Sequence, residues 1–282
     1  MNNLIQTTSL LDKYTQVSLK QQSIYEDLHK YFTKEDIISS LDKDIVNPYT
    51  QDWSNIPGYA DLLVQPKSSI ECALILRTCF KNNIPLTVSA GRTNLTGSAT
   101  PKGGVVLSIS KLTDPEIFVD QNAKEVLSPV GITLETLRDK VLKCTKNKLY
   151  YPVDPTSRHD AYVGGTLSCN ASGFIPGERG ATRYWVNEIE LILPSGHYIK
   201  AKRGEYISQS GNFKLKINNE QIILPVPRYK RPNIKNASGP YSSENGEIDF
   251  VDLIVGSEGL YGIIISCKLK LEERPKEYLE LF

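Results

Sequence analysis

Three segments that combine glycine with small hydroxyl or amide side chains constrain this chain more than any other feature. They are SAGRTNLTG (89–97), VGGTLSCNASG (163–173) and VGSEGLYG (255–262). Glycine permits positive φ angles and close approach of a ligand, and consecutive amides in such turns form concavities for phosphate oxygens. One such segment is usually a tight turn or a bulge. Three of them, each after a strand-like run, favour a nucleotide-binding cradle.

The two standard phosphate-binding motifs do not fit these segments. A P-loop needs GxxxxGK[ST], but here Gly91 is followed by Gly97 six positions on, and then by Ser98 instead of lysine. A dinucleotide-binding Rossmann fold needs GxGxxG at the start of a helix, and the chain contains no such string. A nucleotide would therefore be held by the loops of another fold.

Helices and strands are mixed along the chain without the regular alternation of a doubly wound parallel sheet, which favours an α+β fold. Apolar residues at helical spacing predict a helix from residue 70, capped by Ser68 or Ser69, and another over 133–147, capped by Thr133. Short apolar runs predict strands at 62–64, 86–88, 105–109, 116–120, 125–131, 186–193, 197–200 and within 250–271.

Changes in composition divide the chain into parts. Residues 1–44 contain no proline, and the spacing of Leu19, Leu28 and Phe32 predicts a helical extension. Prolines at 48 and 57 mark the start of a compact domain at 45–275, with subdomains at about 45–115 and 116–275. A polar insert covers 201–249, in which Asn218-Asn219 is a candidate hairpin turn.

Composition excludes several classes of function. The chain has 282 residues with 33 Lys plus Arg against 32 Asp plus Glu, so no nucleic-acid partner is expected. No apolar run approaches the roughly 18 residues of a spanning helix and the start lacks a signal peptide, so we expect neither a membrane span nor secretion. Five cysteines form no CxxC pair and the three histidines are far apart. We therefore expect a cytoplasmic protein without a metal site, whose cofactor is organic.

Six motifs occur along the chain in order. They are QPKS (65–68), SAGRTNLTG, YPVDPTSRHDAYVGGTLSCNASG (151–173), GATR (180–183), KNASG (235–239) and GSEGLYGIII (256–265). Over about residues 57–272 they resemble the PCMH-type FAD-binding domain of the vanillyl-alcohol oxidase superfamily, in its glycolate oxidase and D-lactate dehydrogenase branch. The resemblance implies a small β-α subdomain, a larger antiparallel-sheet subdomain with helices, and FAD as cofactor.

The resemblance also implies which residues contact FAD. One group would hold the pyrophosphate, a second would run along the flavin, a third would pack against the isoalloxazine and ribityl chain, and a fourth would approach the adenosine end. In that order the groups are Ala90, Gly91, Arg92, Thr93, Asn94, Gly97 and Ser98; Pro152, Asp154, Pro155, Thr156 and Ser157; Gly164, Gly165, Ser168, Cys169, Asn170, Ala171 and Gly173; and Glu258, Gly262, Ile263 and Ile264.

The first segment departs from the family's pattern, in which glycine commonly stands where this chain has Arg92, Asn94 and Ser98. Asparagine tolerates left-handed φ, which makes Asn94 an acceptable substitute. Arg92 is either a cation beside the diphosphate or a solvated arginine. Relatives with covalent flavin carry a histidine in this segment, so its absence implies non-covalent FAD.

The resemblance further implies a flavin-dependent oxidoreductase that oxidises a small 2-hydroxy acid by hydride transfer to flavin N5. Relatives continue into a substrate-binding cap domain that supplies the catalytic arginine and histidine, and residues 276–282 would begin it. A C-terminal half or a partner subunit would then complete catalysis, and we assign no catalytic residue. His159 fits a surface loop, although it and Lys235 would be the first to test if the chain alone reduced flavin.

Two alternatives remain open at this point. The chain is a FAD-binding subunit or truncated remnant without catalysis of its own, or it is a structural domain that has lost FAD. Bound flavin that no 2-hydroxy acid reduces would favour the first alternative, and a protein without flavin absorbance would favour the second.

Overall fold

The computed structural model describes residues 3–11, 38–226 and 245–275. The first of these ranges contains two short strands, β1 (Leu4–Gln6) and β2 (Thr8–Ser9). The predicted helical extension is wrong for these residues, because Ile5 is fully buried between more exposed neighbours, in the two-residue period of a strand. Leu19, Leu28 and Phe32, which suggested the helix, lie outside the described residues.

A four-stranded sheet occupies residues 38–108. Its spatial order is β3 (Ile38–Ser40), β4 (Leu62–Gln65), β6 (Val105–Ser108) and β5 (Leu86–Ser89). The last three are parallel and β3 is antiparallel to β4. A short helix, α1 (Lys43–Val46), lies between β3 and β4. Because β5 and β6 are parallel with Ser89 opposite Ser108, the residues that follow each strand leave the sheet at one edge.

Helix α2 (Ser69–Lys81) connects β4 to β5 and confirms the first helix prediction. Ser68 caps it by accepting a hydrogen bond from the Glu71 N–H at 3.3 Å, and the Glu71 carboxylate accepts one from the Lys67 N–H at 2.6 Å. Cys72 and Cys79, seven residues apart, are both buried on this helix as small core residues.

A six-stranded antiparallel sheet forms the larger part of the fold. Its order is β2-β11-β10-β14-β8-β7, where the new strands are β7 (Phe118–Asp120), β8 (Glu125–Pro129), β10 (Val186–Ile192), β11 (His197–Lys202) and β14 (Ile263–Lys270). On β10, Ile189 and Leu191 are fully buried in the core, whereas Glu190 pairs with Lys200 on the opposite face. This sheet and the smaller, mixed sheet confirm the α+β class.

The remaining elements surround this sheet. Strand β9 (Leu149–Tyr150) pairs with β15 (Glu272–Glu273), and α3 (Leu134–Cys144) confirms the second predicted helix. As predicted, Thr133 caps α3, since its Oγ1 accepts a hydrogen bond from the Thr136 N–H at 3.1 Å. Two shorter helices follow, α4 (Val163–Ser168) and α5 (Thr182–Trp185).

The polar insert contains the predicted hairpin. Strands β12 (Asn212–Ile217) and β13 (Glu220–Pro225) are antiparallel and are joined by the Asn218-Asn219 turn, in which Asn218 has a φ of 55°. Strand β1 pairs with β12 in parallel and completes a small sheet. The KNASG motif and residues 276–282 lie outside the described residues.

The chain before the third glycine segment is a helix, α6 (Phe250–Ile254), and not the predicted strand. Asp249 caps it, with Oδ1 accepting a hydrogen bond from the Val251 N–H at 2.8 Å. Phe250, Val251, Leu253 and Ile254 are all buried, and a short, fully buried apolar run does not distinguish a helix from a strand.

Candidate functional site

The first glycine segment leaves the carboxyl end of β5 and packs on the turn at 157–161. An ideal Cβ on Gly91 would lie 2.0 Å from the carbonyl oxygen of Asp160, so only glycine fits there. Among the described residues, no acceptor takes the backbone N–H groups of Gly91, Arg92, Thr93 or Asn94. Four consecutive free N–H groups in a loop are suited to binding an anion.

Arg92, and not Asn94, adopts the left-handed conformation in this loop, with a φ of 55°. The Asn94 side chain instead closes the loop, because its Oδ1 accepts hydrogen bonds from the N–H groups of Thr96 and Ser98, each at 3.2 Å. The Arg92 guanidinium lies 4.5 Å from the centre of the Tyr49 ring, a cation–π contact that neither of our two interpretations included.

The second glycine segment begins helix α4, whose two consecutive glycines face different surroundings. An ideal Cβ on Gly164 would lie 2.7 Å from Cδ1 of Ile109 and 2.9 Å from Cβ of Val130. On Gly165 it would meet only Cβ of Ala90, at 3.1 Å. Gly164 thus allows α4 to pack on the core, and Gly165 lies close to the methyl group of Ala90 in the first glycine segment.

The third segment, after α6, is tied to α4. The N–H of Gly256 donates to the Leu167 carbonyl at 3.0 Å, and the N–H of Glu258 donates to the Ser168 carbonyl at 2.8 Å. Glu258 has a φ of 53°, and its carboxylate lies 3.5 Å from Oγ1 of Thr96 in the first segment. The three segments, only one of which follows a strand, therefore meet around one cavity.

This cavity brings together sixteen of the predicted residues: Ala90, Gly91, Arg92, Thr93, Asn94, Ser98, Ser157, Gly164, Gly165, Ser168, Cys169, Ala171, Glu258, Gly262, Ile263 and Ile264. Within the described lining, Arg92 and Glu258 are the charged side chains. Burial raises the pKa of the Cys169 thiol, and the Glu258 carboxylate raises it further, so this thiol is protonated at neutral pH. The cavity is therefore lined by small, mainly neutral groups.

The other predicted residues lie outside the lining: Gly97, Pro152, Asp154, Pro155, Thr156, Asn170 and Gly173. Asp154 forms ion pairs with Arg138 at 3.0 Å and Arg158 at 2.9 Å. Asn170 is fully buried, and its Oδ1 accepts a hydrogen bond from the Arg183 N–H at 2.9 Å. These contacts hold the loops behind the cavity, a supporting position that sequence spacing does not distinguish from the lining itself.

Seven lining residues were missed by the sequence prediction: Val88, Ala99, Ile109, Ala161, Tyr162, Thr166 and Gly259. Six of them lie within the predicted segments, or directly beside such a segment or a predicted residue, so wider segments would have included them. Ile109 is different, because it reaches the cavity through the pairing of β6 with β5.

The remaining candidates for chemistry lie elsewhere. The His159 side chain is 64% exposed, and its Nδ1 lies 4.0 Å from the Glu135 carboxylate, so it fits the surface position expected. The described residues contain no group of three or more side chains placed to hold a metal ion. They also contain no helix long and apolar enough to cross a membrane.

Comparison with known proteins agrees with this geometry. The family described as the FAD binding domain matches residues 60–202, about half of the chain. A D-lactate dehydrogenase of Anaerostipes hadrus is 28% identical over 98% of this chain and 46% of its own length. The glycolate oxidase subunit GlcD of Bacillus subtilis is 25% identical over 80% of this chain and 39% of its own length.

A solved structure shares the fold. Alkyldihydroxyacetonephosphate synthase aligns with 97% of this chain and 45% of its own length, with a TM-score of 0.63 and 18% identity. The chain thus spans less than half the length of each of these three proteins.

Proposed function

Because the chain belongs to the FAD binding domain family, we propose that the cavity binds FAD without a covalent bond, and that the chain is the cofactor-binding part of a flavin-dependent oxidoreductase of 2-hydroxy acids. The observation that carries this proposal is that residues 91–94 line the cavity and that no described acceptor takes their four backbone N–H groups. A diphosphate needs such donors, and a structural turn does not.

The residues of the cavity fit FAD in two further respects. Arg92 supplies a positive charge at the same loop, and its contact with Tyr49 holds the guanidinium in place. Gly165 lies in the cavity lining and carries no side chain, which permits close approach of a flat ring system. The seven predicted residues outside the lining would then support the site without contacting the cofactor.

The substrate class is proposed from the relatives. D-lactate and glycolate, which the names of two relatives contain, are both 2-hydroxy acids. Bound FAD supplies the acceptor for the hydride of such a substrate. The residues of this chain would hold and orient the cofactor, and α4 would help to exclude water from it. A C-terminal half or a partner subunit is proposed to complete the substrate site, because both relatives are more than twice as long as the part they share with this chain.

We also propose a cytoplasmic location. All five cysteines are free in the structure, including the exposed Cys144, and unpaired thiols persist in a reducing compartment.

An absorbance spectrum and an acid precipitation of the purified protein test the cofactor proposal. We expect flavin bands in the native protein and, after acid, a colourless pellet with a yellow supernatant. A yellow pellet would show a covalent bond. A protein that neither carries flavin nor takes it up on titration would favour the structural-domain alternative.

Anaerobic reduction tests the substrate proposal. D-lactate, glycolate and D-2-hydroxyglutarate are added to the flavin-loaded chain, with and without a C-terminal half supplied as a separate polypeptide. We expect rapid bleaching of the flavin only when that half is present, since we propose that its groups orient the substrate. Flavin that stays oxidised in every case would favour the non-catalytic subunit.

A further inference from the structure

Asp52 lies behind the first glycine segment, ahead of the residues that match the family. Its carboxylate is buried, with 4% of the residue exposed. Oδ2 accepts a hydrogen bond from the Ala99 N–H at 3.1 Å, and Oδ1 accepts one from the Ser54 N–H at 3.0 Å as well as one from the Ser54 hydroxyl. A buried carboxylate is costly unless its oxygens are satisfied in this way.

The charge state of Asp52 follows from these contacts. Burial by itself raises the pKa of the Asp52 carboxyl, but the hydrogen bonds from Ser54 and Ala99 outweigh it, so the pKa lies below its ordinary value. The group is therefore a carboxylate at neutral pH and accepts hydrogen bonds through both oxygens.

Asp52 and its neighbour Trp53 hold the two ends of the loop at 92–99. The Trp53 N–H donates to the Arg92 carbonyl at 3.1 Å at the start of the loop, and Asp52 accepts from Ala99 at its end. Within the loop, the Asn94 side chain binds the Ser98 N–H. The free N–H groups of residues 92–94 thus belong to a loop that hydrogen bonds hold from outside as well as from inside.

We infer that Asp52 is a positioning residue for the cofactor, acting through the loop at 92–99. The inference rests on the proposed binding of FAD. Fixing the loop before FAD binds lowers the entropic cost of binding, since the N–H donors are already ordered when FAD arrives. Asparagine at position 52 would keep one acceptor oxygen. Its NH₂ group, however, would face the N–H of Ala99 in one orientation of the amide and the N–H of Ser54 in the other.

The test is a fluorescence titration of the FAD-free protein with FAD for the wild type and Asp52→Asn. Asp61→Asn is a control, because Asp61 also accepts a backbone N–H, that of Gly104 at 2.9 Å, but this bond lies outside the loop at 92–99. We expect Asp52→Asn to weaken FAD binding about tenfold and Asp61→Asn to change it less than twofold. Ser54→Ala, which removes one donor to the same carboxylate, should weaken binding in the same direction by a smaller factor.

Hydrogen exchange of the peptide that covers 92–99 separates positioning from a general loss of stability. In the FAD-free Asp52→Asn protein, exchange in this peptide should accelerate about tenfold while the peptide over α2 is unchanged. Equal FAD affinity in Asp52→Asn and the wild type would overturn the inference about Asp52 but not the proposed function. Hydrogen exchange that accelerates equally in both peptides would do the same. A wild type that binds no FAD would overturn the proposed function together with it.

Discussion

The two sides of helix α4 carry adjacent glycines for different reasons. On the core side, Gly164 removes atoms that would overlap Ile109 and Val130. On the cavity side, Gly165 has one neighbour within 4 Å of an ideal Cβ, the methyl group of Ala90. The same residue type in one dipeptide therefore serves core packing at one position and close approach to the first glycine segment, in the cavity lining, at the next.

This difference shows how the three glycine segments should be interpreted. Gly91 and Gly262 belong with Gly164, because an ideal Cβ on each would lie 2.0 Å and 2.2 Å from a backbone carbonyl oxygen. These three glycines allow the segments to pack closely on the core and on the neighbouring loop around the cavity. Gly165 is where substitution should affect the ligand more than the fold.

The largest effect that would test this comparison is on stability. Gly164→Val should destabilise the FAD-free protein by about 1 to 3 kcal/mol, because the added atoms overlap buried side chains of a packed core. Urea unfolding followed by circular dichroism measures this free energy. A change below 0.5 kcal/mol, on the order of an ordinary surface substitution, would show that the core beside α4 has room and that the comparison is mistaken.

A smaller effect, on binding, is expected from the neighbouring position. Gly165→Val should leave the free energy of unfolding within about 1 kcal/mol of the wild type. It should weaken FAD binding about thirtyfold, or about 2 kcal/mol, because the side chain occupies space proposed for the cofactor. Titration of both valine variants with FAD makes each the control for the other. If Gly165→Val binds FAD as well as the wild type, the cofactor does not pass this face of α4.

Local signals in the sequence were sufficient for several elements of the fold. Ser68 and Thr133 mark the starts of α2 and α3, because a cap depends on residues within one helical turn. The turn at Asn218 is equally local. Helix α6 was predicted as a strand, since the burial of four of its five residues removes the periodicity that distinguishes a helix from a strand.

The candidate site also contains residues that local sequence signals identify and residues that they do not. The glycine segments could be found because each is continuous in sequence. Ile109 and Asp52 could not, because strand pairing brings the first to the cavity and a hydrogen bond to Ala99 brings the second to the loop. The left-handed φ of Arg92 was also missed, since the residue type gives no sign of it and the contact with Tyr49 depends on the tertiary fold.

The smallest expected effect uses the thiol on the cavity side of α4. Cys169 lines the cavity, whereas Cys144 is exposed at the end of α3 and Cys72, Cys79 and Cys267 are buried. Saturating FAD should slow alkylation of Cys169 about tenfold by covering it and should leave Cys144 unchanged, as mass spectrometry of the labelled peptides would measure.

The pH dependence of this labelling gives a second, independent measurement. Burial and the Glu258 carboxylate raise the pKa of the Cys169 thiol. Its reactive thiolate therefore forms at higher pH than the thiolate of an ordinary cysteine, whose pKa is about 8.5. The labelling rate of Cys169 in the FAD-free protein should therefore still be rising above that pH.

Gly165→Val should abolish the protection of Cys169 at FAD concentrations that saturate only the wild type. Protection that persists in this variant at those concentrations would mean that FAD reaches Cys169 without passing Gly165, and the cavity side of α4 would need a different interpretation.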